Sequence, residues 1–116
     1  MTPASECLFC GIVAGDVPAD VVHDDEQTVA FRDINGQAPT HVLVVPRDHH
    51  PNAASLATAG QGGVDALVRT AAAVAAAEGV AEDYRLVFNT GAEAGQSVFH
   101  VHLHLLGGRS FTWPPG

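Results

Sequence analysis

From His100 to Leu106 the chain reads His-Val-His-Leu-His-Leu-Leu, an imidazole at every second position. In a strand, alternate side chains share a face. His100, His102 and His104 would therefore line up on one side, roughly 6 to 7 Å apart, with Val101, Leu103 and Leu105 packed on the other. A merely solvated face would be served equally by Thr, Lys or Glu. Imidazole is also the commonest metal ligand, but three ligands on one strand are spaced too widely to converge on a single ion. The remaining chemistry is nucleophilic and acid–base. A neutral imidazole attacks phosphorus and acyl centres, titrates near neutral pH, and can exchange protons with a neighbouring ring. Just upstream, Asn89-Thr90-Gly91-Ala92-Glu93-Ala94-Gly95-Gln96-Ser97 offers glycines whose backbone N–H groups can converge, with Asn, Gln and Ser side chains among them. Together the two segments predict a phosphate site built without lysine.

Cys7 and Cys10 are the second chemical feature. They stand three residues apart on a predicted helix, so their sulfurs share a face. Four readings fit that spacing. A thioredoxin-like redox pair should follow a strand in a βαβ unit, whereas this motif opens the chain. Two unrelated buried thiols would pack as small hydrophobes. A disulfide calls for an oxidising compartment. A structural zinc needs two further ligands.

Around these groups the sequence predicts a small α+β domain over residues 1–116, with 109–116 as a C-terminal tail and five strands in a mainly antiparallel sheet. Ser5 caps a short first helix carrying Leu8, Phe9, Ile12 and Val13, which Gly15 stops. Asp20 to His23 and Thr28 to Asp33 form a hairpin around Asp24-Asp25-Glu26. His41 to Pro46 is too continuously apolar for one exposed face and belongs in the middle of the sheet, ended by Pro46. Residues 50–63 carry no recognisable motif. Val64 to Glu78 keeps helical spacing in an alanine-rich run, giving one long helix closed by Gly79. Tyr84 to Asn89 and Val98 to Leu106 supply the fourth and fifth strands.

Composition narrows the function. With 13 acidic residues against five arginines and no lysine, the formal charge is −8 with histidines neutral. Such a balance argues against partners that are nucleic acids or anionic membranes, both of which need clustered cations. The N-terminus lacks the basic and apolar pattern of a secretory signal, and the longest apolar run, Ala71 to Ala77, is far short of the roughly 20 residues of a membrane span. A cytoplasmic address with reduced cysteines is the expectation.

The alternating His100, His102 and His104, preceded by Gly95-Gln96-Ser97-Val98-Phe99, resemble the histidine triad (HIT) superfamily, and most of all its Hint branch of purine nucleoside phosphoramidases. The resemblance runs nearly end to end, through Ala30-Phe31-Arg32-Asp33-Ile34, Ala38-Pro39-Thr40-His41, Val45-Pro46-Arg47 and the closing Trp113-Pro114-Pro115-Gly116. It implies that His102 attacks the α-phosphorus of a nucleoside 5′-phosphoramidate to form a covalent nucleotidyl-histidine, which water then releases. By the same resemblance Asn89, Ser97 and His104 contact the phosphate or leaving group, joined by Gly95 and Gln96 of the loop. His41 handles protons, and His100 does so too if it is free. Asp33 holds the ribose hydroxyls, and Leu8, Phe9, Phe31 and Ile34 form a slot for the base. Bacterial members similar to this chain hold zinc with the cysteine pair, which here implies Cys7, Cys10, His49 and His100, with His50 able to replace His49. That set would take His100 out of the proton relay. The family further implies a homodimer in which Trp113 approaches the other subunit's leaving-group pocket. Rival readings are a dinucleoside polyphosphate hydrolase and a zinc-stabilised nucleotide-binding or interaction module.

Overall fold

A computed structural model describes residues 6–116; the predicted Ser5 cap lies outside them. The first helix, α1 (Leu8–Ala14), is instead capped by Cys7, whose sulfur accepts the backbone N–H of Cys10 at 3.4 Å. Strands β1 (Val21–Asp24) and β2 (Thr28–Arg32) form the predicted hairpin. Asp25 makes the turn, its carboxylate accepting the backbone N–H groups of Gln27 and Thr28 and pairing with His23 at 2.7 Å. Then come β3 (Thr40–Pro46), α2 (Ala53–Ala59), α3 (Gly63–Ala77), β4 (Tyr84–Val87) and β5 (Leu103–Gly107). The sheet order is β1-β2-β3-β5-β4, and every pairing is antiparallel.

The continuous apolar run of β3 is explained by its central place. Val42 and Val44 point to the face covered by α3, where Leu67, Ala71, Val74 and Ala75 meet Val101, Leu103 and Leu105. Leu43 and Val45 point to the opposite face and pack with Cys7, Phe9, Val29 and Phe31. The histidines share this second face with α1.

Three expectations need correction. The segment around 50–63 contains α2, capped by Asn52, whose side chain accepts from Ser55 N, and closed by Gly60 at φ 72°. The fourth strand stops at Val87, short of the predicted Asn89. The fifth begins at Leu103, so His100, at a bend, and His102 both precede it. The cause lies on the neighbouring strand. Continuing the β3–β5 register would set Val101 against Pro46, which has no N–H to give. Val101 N–H turns instead to the carbonyl of His50 at 2.7 Å, and the Pro46 carbonyl accepts from the His100 ring at 2.9 Å.

Candidate active site and metal cluster

Interrupting the ladder places His102 where its ring can be fixed from its own backbone. Its Nδ1 lies 2.9 Å from the carbonyl of His100. A carbonyl only accepts, so Nδ1 carries the proton and Nε2 is left with a bare lone pair. Phe9 stands edge-on to this ring at 5.0 Å and to Phe31 at 5.3 Å. Burial pushes the His102 imidazole below its ordinary range, which keeps it neutral near pH 7. A neutral ring with one bare nitrogen is the form a nucleophile requires.

His104 follows two residues on, its ring centroid 5.0 Å from that of His102. Its Nδ1 meets His41 Nε2 at 3.0 Å, and Asp33 Oδ2 lies 3.5 Å from that same His41 nitrogen. Burial is the largest influence on both rings. It holds His104 down at about 4, helped by His102 and His41, and lowers His41 against the opposing pull of Asp33. Asp33 does two things at once. One carboxylate oxygen caps a turn by accepting Asn35 N–H at 2.8 Å, and the other faces the histidines.

His102, His104 and Asp33 line one cleft of about 660 Å³ with Leu8, Phe9, Phe31, Ile34, Gly95, Ser97 and Val98, while His41 stands behind His104 and is not part of the lining. Phe9 and Phe31 are at once core and cleft wall, so the structural and functional readings of them coincide. Leu8 and Ile34 are 50% and 95% exposed, apolar surface left open at the mouth. Of the loop residues, Gly95 adopts φ 100° and packs against Asn89, a Cβ built there lying 3.6 Å from the Asn89 amide nitrogen.

The Gln96 side chain, expected at the phosphate, is engaged within the protein. It is buried, its carbonyl oxygen accepts Gly91 N–H, and its amide donates to the carbonyls of Pro51 and Val98. Its side chain is spent on bracing the loop. His100 is not with His41 and His104; it belongs to a separate cluster. Trp113 is 83% exposed and does not line the cleft of its own chain.

That separate cluster is Cys7, Cys10, His49 and His100, whose donor atoms all lie within 4.8 Å of one another. Cys7 Sγ and Cys10 Sγ are each 3.4 Å from His100 Nδ1, and Cys10 Sγ is 3.3 Å from His49 Nδ1. Zinc bonds of about 2.3 Å to sulfur and 2.0–2.1 Å to nitrogen give tetrahedral S···N edges of about 3.5 Å, so the donor set fits that ion. His100 Nε2–H is already held by the Pro46 carbonyl, which aims Nδ1 at the thiols as a ligand must be aimed. Burial, with Cys7 alongside, pushes the Cys10 thiol up to about 11. That reluctance to ionise is what a bound cation would reverse. His50 is not among the four.

Comparison with known proteins agrees with this geometry. A family model described as HIT domain matches residues 14–111. The 14 kDa zinc-binding protein of Zea mays is 44% identical over 115 residues, covering 97% of this chain and 89% of its own. The purine nucleoside phosphoramidase of Escherichia coli K12 is 42% identical over 107 residues, covering 91% and 90%. Among solved structures, a HIT family hydrolase from Legionella pneumophila superposes with a TM-score of 0.91 at 47% identity, over 96% of this chain and 100% of that one. With the histidine cleft, the sheet order and a family match over most of its length in agreement, this chain belongs to the HIT domain family of hydrolases.

Proposed function

We propose that the protein hydrolyses purine nucleoside 5′-phosphoramidates, and related acyl-nucleotides, to the nucleoside monophosphate and the free amine or acid. The observation that carries this reading is the bare Nε2 of His102, oriented by its own backbone, in a cleft lined by the Asp33 carboxylate and by the apolar side chains of Leu8, Phe9, Phe31 and Ile34. His102 Nε2 attacks the α-phosphorus; an Nε2–P bond forms as the P–N bond to the amine breaks, and the amine departs with a proton from the cleft. Water then attacks phosphorus and gives a proton back to the cleft, the Nε2–P bond breaks, and the monophosphate leaves with the ring restored. Asp33 receives the ribose hydroxyls, Leu8, Phe9, Phe31 and Ile34 enclose the base, and Asn89, Gly95, Ser97 and His104 surround the phosphoryl oxygens.

Zinc would be held by Cys7, Cys10, His49 and His100. When bound, it would supply a closed tetrahedral crosslink between α1 and the catalytic segment. Thiolate ligands need reduced cysteines, which supports a cytoplasmic address. A homodimer joined through the long helices and C-terminal segments would give the exposed Trp113 an apolar partner. A monomer by sedimentation at micromolar concentration would overturn that part.

The test of the activity is turnover of a tryptamine adenosine phosphoramidate by the wild type and by His102→Ala, with intact-mass detection of a nucleotidyl adduct on His102. Equal turnover by both proteins would refute the assignment. Faster cleavage of diadenosine triphosphate than of the phosphoramidate would move it to the dinucleoside polyphosphate hydrolases. Binding of AMP with no amine released from any phosphoramidate would leave a nucleotide-binding module.

A further inference from the structure

The hydrogen bonds around His41 define a direction. The backbone N–H of Gln37 donates to His41 Nδ1 at 3.0 Å. A nitrogen that accepts an N–H carries no proton of its own in the neutral ring, so the His41 proton sits on Nε2. That Nε2–H points at His104 Nδ1, 3.0 Å away, which accepts it. The His104 proton is thereby placed on Nε2, an atom that is buried and has no partner among the described residues. His104 lines the cleft beside His102, whose register is the opposite one, bare at Nε2. Two adjacent rings thus carry opposite registers, Nε2 bare on His102 and protonated on His104.

We propose that the backbone amide of Gln37 fixes the proton register of the His41–His104 pair, making Gln37 a positioning residue that obliges His104 to meet the cleft with an N–H and not with a lone pair. Without that amide the reverse register, with both protons on Nδ1, would satisfy the His41–His104 contact equally well. Two lone pairs would then face an anionic phosphoryl group, a repulsive arrangement. The Asp33 carboxylate, 3.5 Å from His41 Nε2, favours the proton on the same nitrogen. The peptide itself is held firmly. Gln37 Nε2 donates to the Asn35 carbonyl, and Arg109 Nε, from the C-terminal tail, donates to the Gln37 carbonyl, each at 2.8 Å.

The same register bears on a competing reading. Asp33, His41 and His104 also bring three donor atoms within 4.8 Å, which resembles a two-histidine, one-carboxylate metal group. Ligation through His41 Nε2 would require that nitrogen bare while Nδ1, facing the Gln37 N–H, is bare as well. A neutral imidazole cannot meet both conditions. His100 has the reverse wiring, its far nitrogen donating to the Pro46 carbonyl. One cluster is wired as metal ligands and the other as a proton-donating chain.

Only the identity of the group that receives the His104 N–H rests on the phosphoramidase reading. The experiment is long-range proton–nitrogen correlation NMR on the full chain labelled with 15N-histidine, near neutral pH, alone and with saturating AMP. His41→Asn and His104→Asn serve to assign the signals. Both rings are expected as Nε2–H forms in each condition, and a proton on Nδ1 of either ring overturns the proposal. Gln37→Pro deletes the amide, and in it the Nε2–H form of His104 should fall from dominant to comparable with its reverse, while Gln37→Ala keeps the wild-type register. An unchanged register in folded Gln37→Pro also overturns it; if that variant does not fold, the wild-type spectrum decides alone. Absence of phosphoramidate turnover with the Nε2–H register intact would refute the activity and leave the register standing. Turnover with a proton on Nδ1 would do the opposite.

Discussion

Acidification should destabilise this protein through His104 in a calculable way. Burial and two neighbouring imidazoles hold its ring down at about 4 in the folded chain, against about 6.5 when unfolded. A histidine depressed by folding contributes fully above its unfolded value, and that contribution is lost as pH falls toward the folded one, because the unfolded chain takes up a proton the native ring refuses. By linkage the loss is about 2 kcal/mol between pH 7 and pH 5, and about 3 kcal/mol by pH 4. His104→Asn removes the titration while keeping an oxygen that can accept from His41 Nε2–H. Urea unfolding of both proteins at pH 7, 6 and 5, each in the same metal state, gives the comparison. The other depressed rings, His41, His100 and His102, are common to both and cancel in the difference. The wild type should lose about 2 kcal/mol more than the variant over that interval. Parallel losses would mean that His104 is not held neutral by its surroundings, and the reasoning about its burial would fail.

Three further outcomes follow from the packing. Gly107→Ala would set a Cβ 2.9 Å from Val80 Cγ2 and 3.0 Å from Val80 Cβ; it should cost about 1–3 kcal/mol in thermal unfolding and be partly relieved by Val80→Ala. Gln96→Leu would strand Gly91 N–H and the carbonyls of Pro51 and Val98, with a loss of about 1–3 kcal/mol, and a cost under about 0.5 kcal/mol would show that the loop is not braced there. Chelating zinc from protein purified with it should lower Tm and weaken AMP binding together, because Leu8 and Phe9 sit between the two cysteines and wall the cleft; calorimetry on metal-free and metal-loaded protein checks both.

How legible these features were in the sequence depended on where their causes lie. The long helix and the central strand were visible because each is fixed by its own residues: Leu67, Ala71, Val74 and Ala75 at helical spacing, and Val42 to Val45 buried on both faces. Helix α2 escaped because it buries only Leu56, which leaves no periodicity to read; its signal was confined to the caps, Asn52 and Gly60. The start of β5 was misplaced because the residue that ends the ladder, Pro46, is on another strand. The internal partners of Gln96 were not legible because the type of a polar side chain does not reveal whether it also bonds to backbone. Cys7, Cys10, His49 and His100 span most of the chain, so no spacing rule joins them, and family resemblance supplied what local pattern could not. The Gln37 amide was beyond either route, since every non-proline residue has one and only the fold shows where it points.

The charge balance gains meaning from the cleft. Arg32 is the one Lys or Arg side chain lining it among the described residues, and it is already held by Glu78 through both terminal nitrogens and by Asp20 at 3.4 Å. A phosphate there would meet neutral imidazoles and N–H dipoles in a chain of formal charge −8. Neutral donors act at contact range, whereas the acidic surface acts on any approaching anion out to about a Debye length. Affinity should therefore decline with each added phosphate, which favours a singly charged nucleoside phosphoramidate over a dinucleoside polyphosphate. Salt gives the sign of the effect. A site built on lysines loses affinity as counterions compete; here screening removes a repulsion, so KM for the phosphoramidate should stay level or fall between about 50 and 300 mM salt. KM for diadenosine triphosphate, which carries more charge, should fall further. A severalfold rise in KM with salt for either substrate would mean that free positive charge, not hydrogen-bond donors, holds the phosphate.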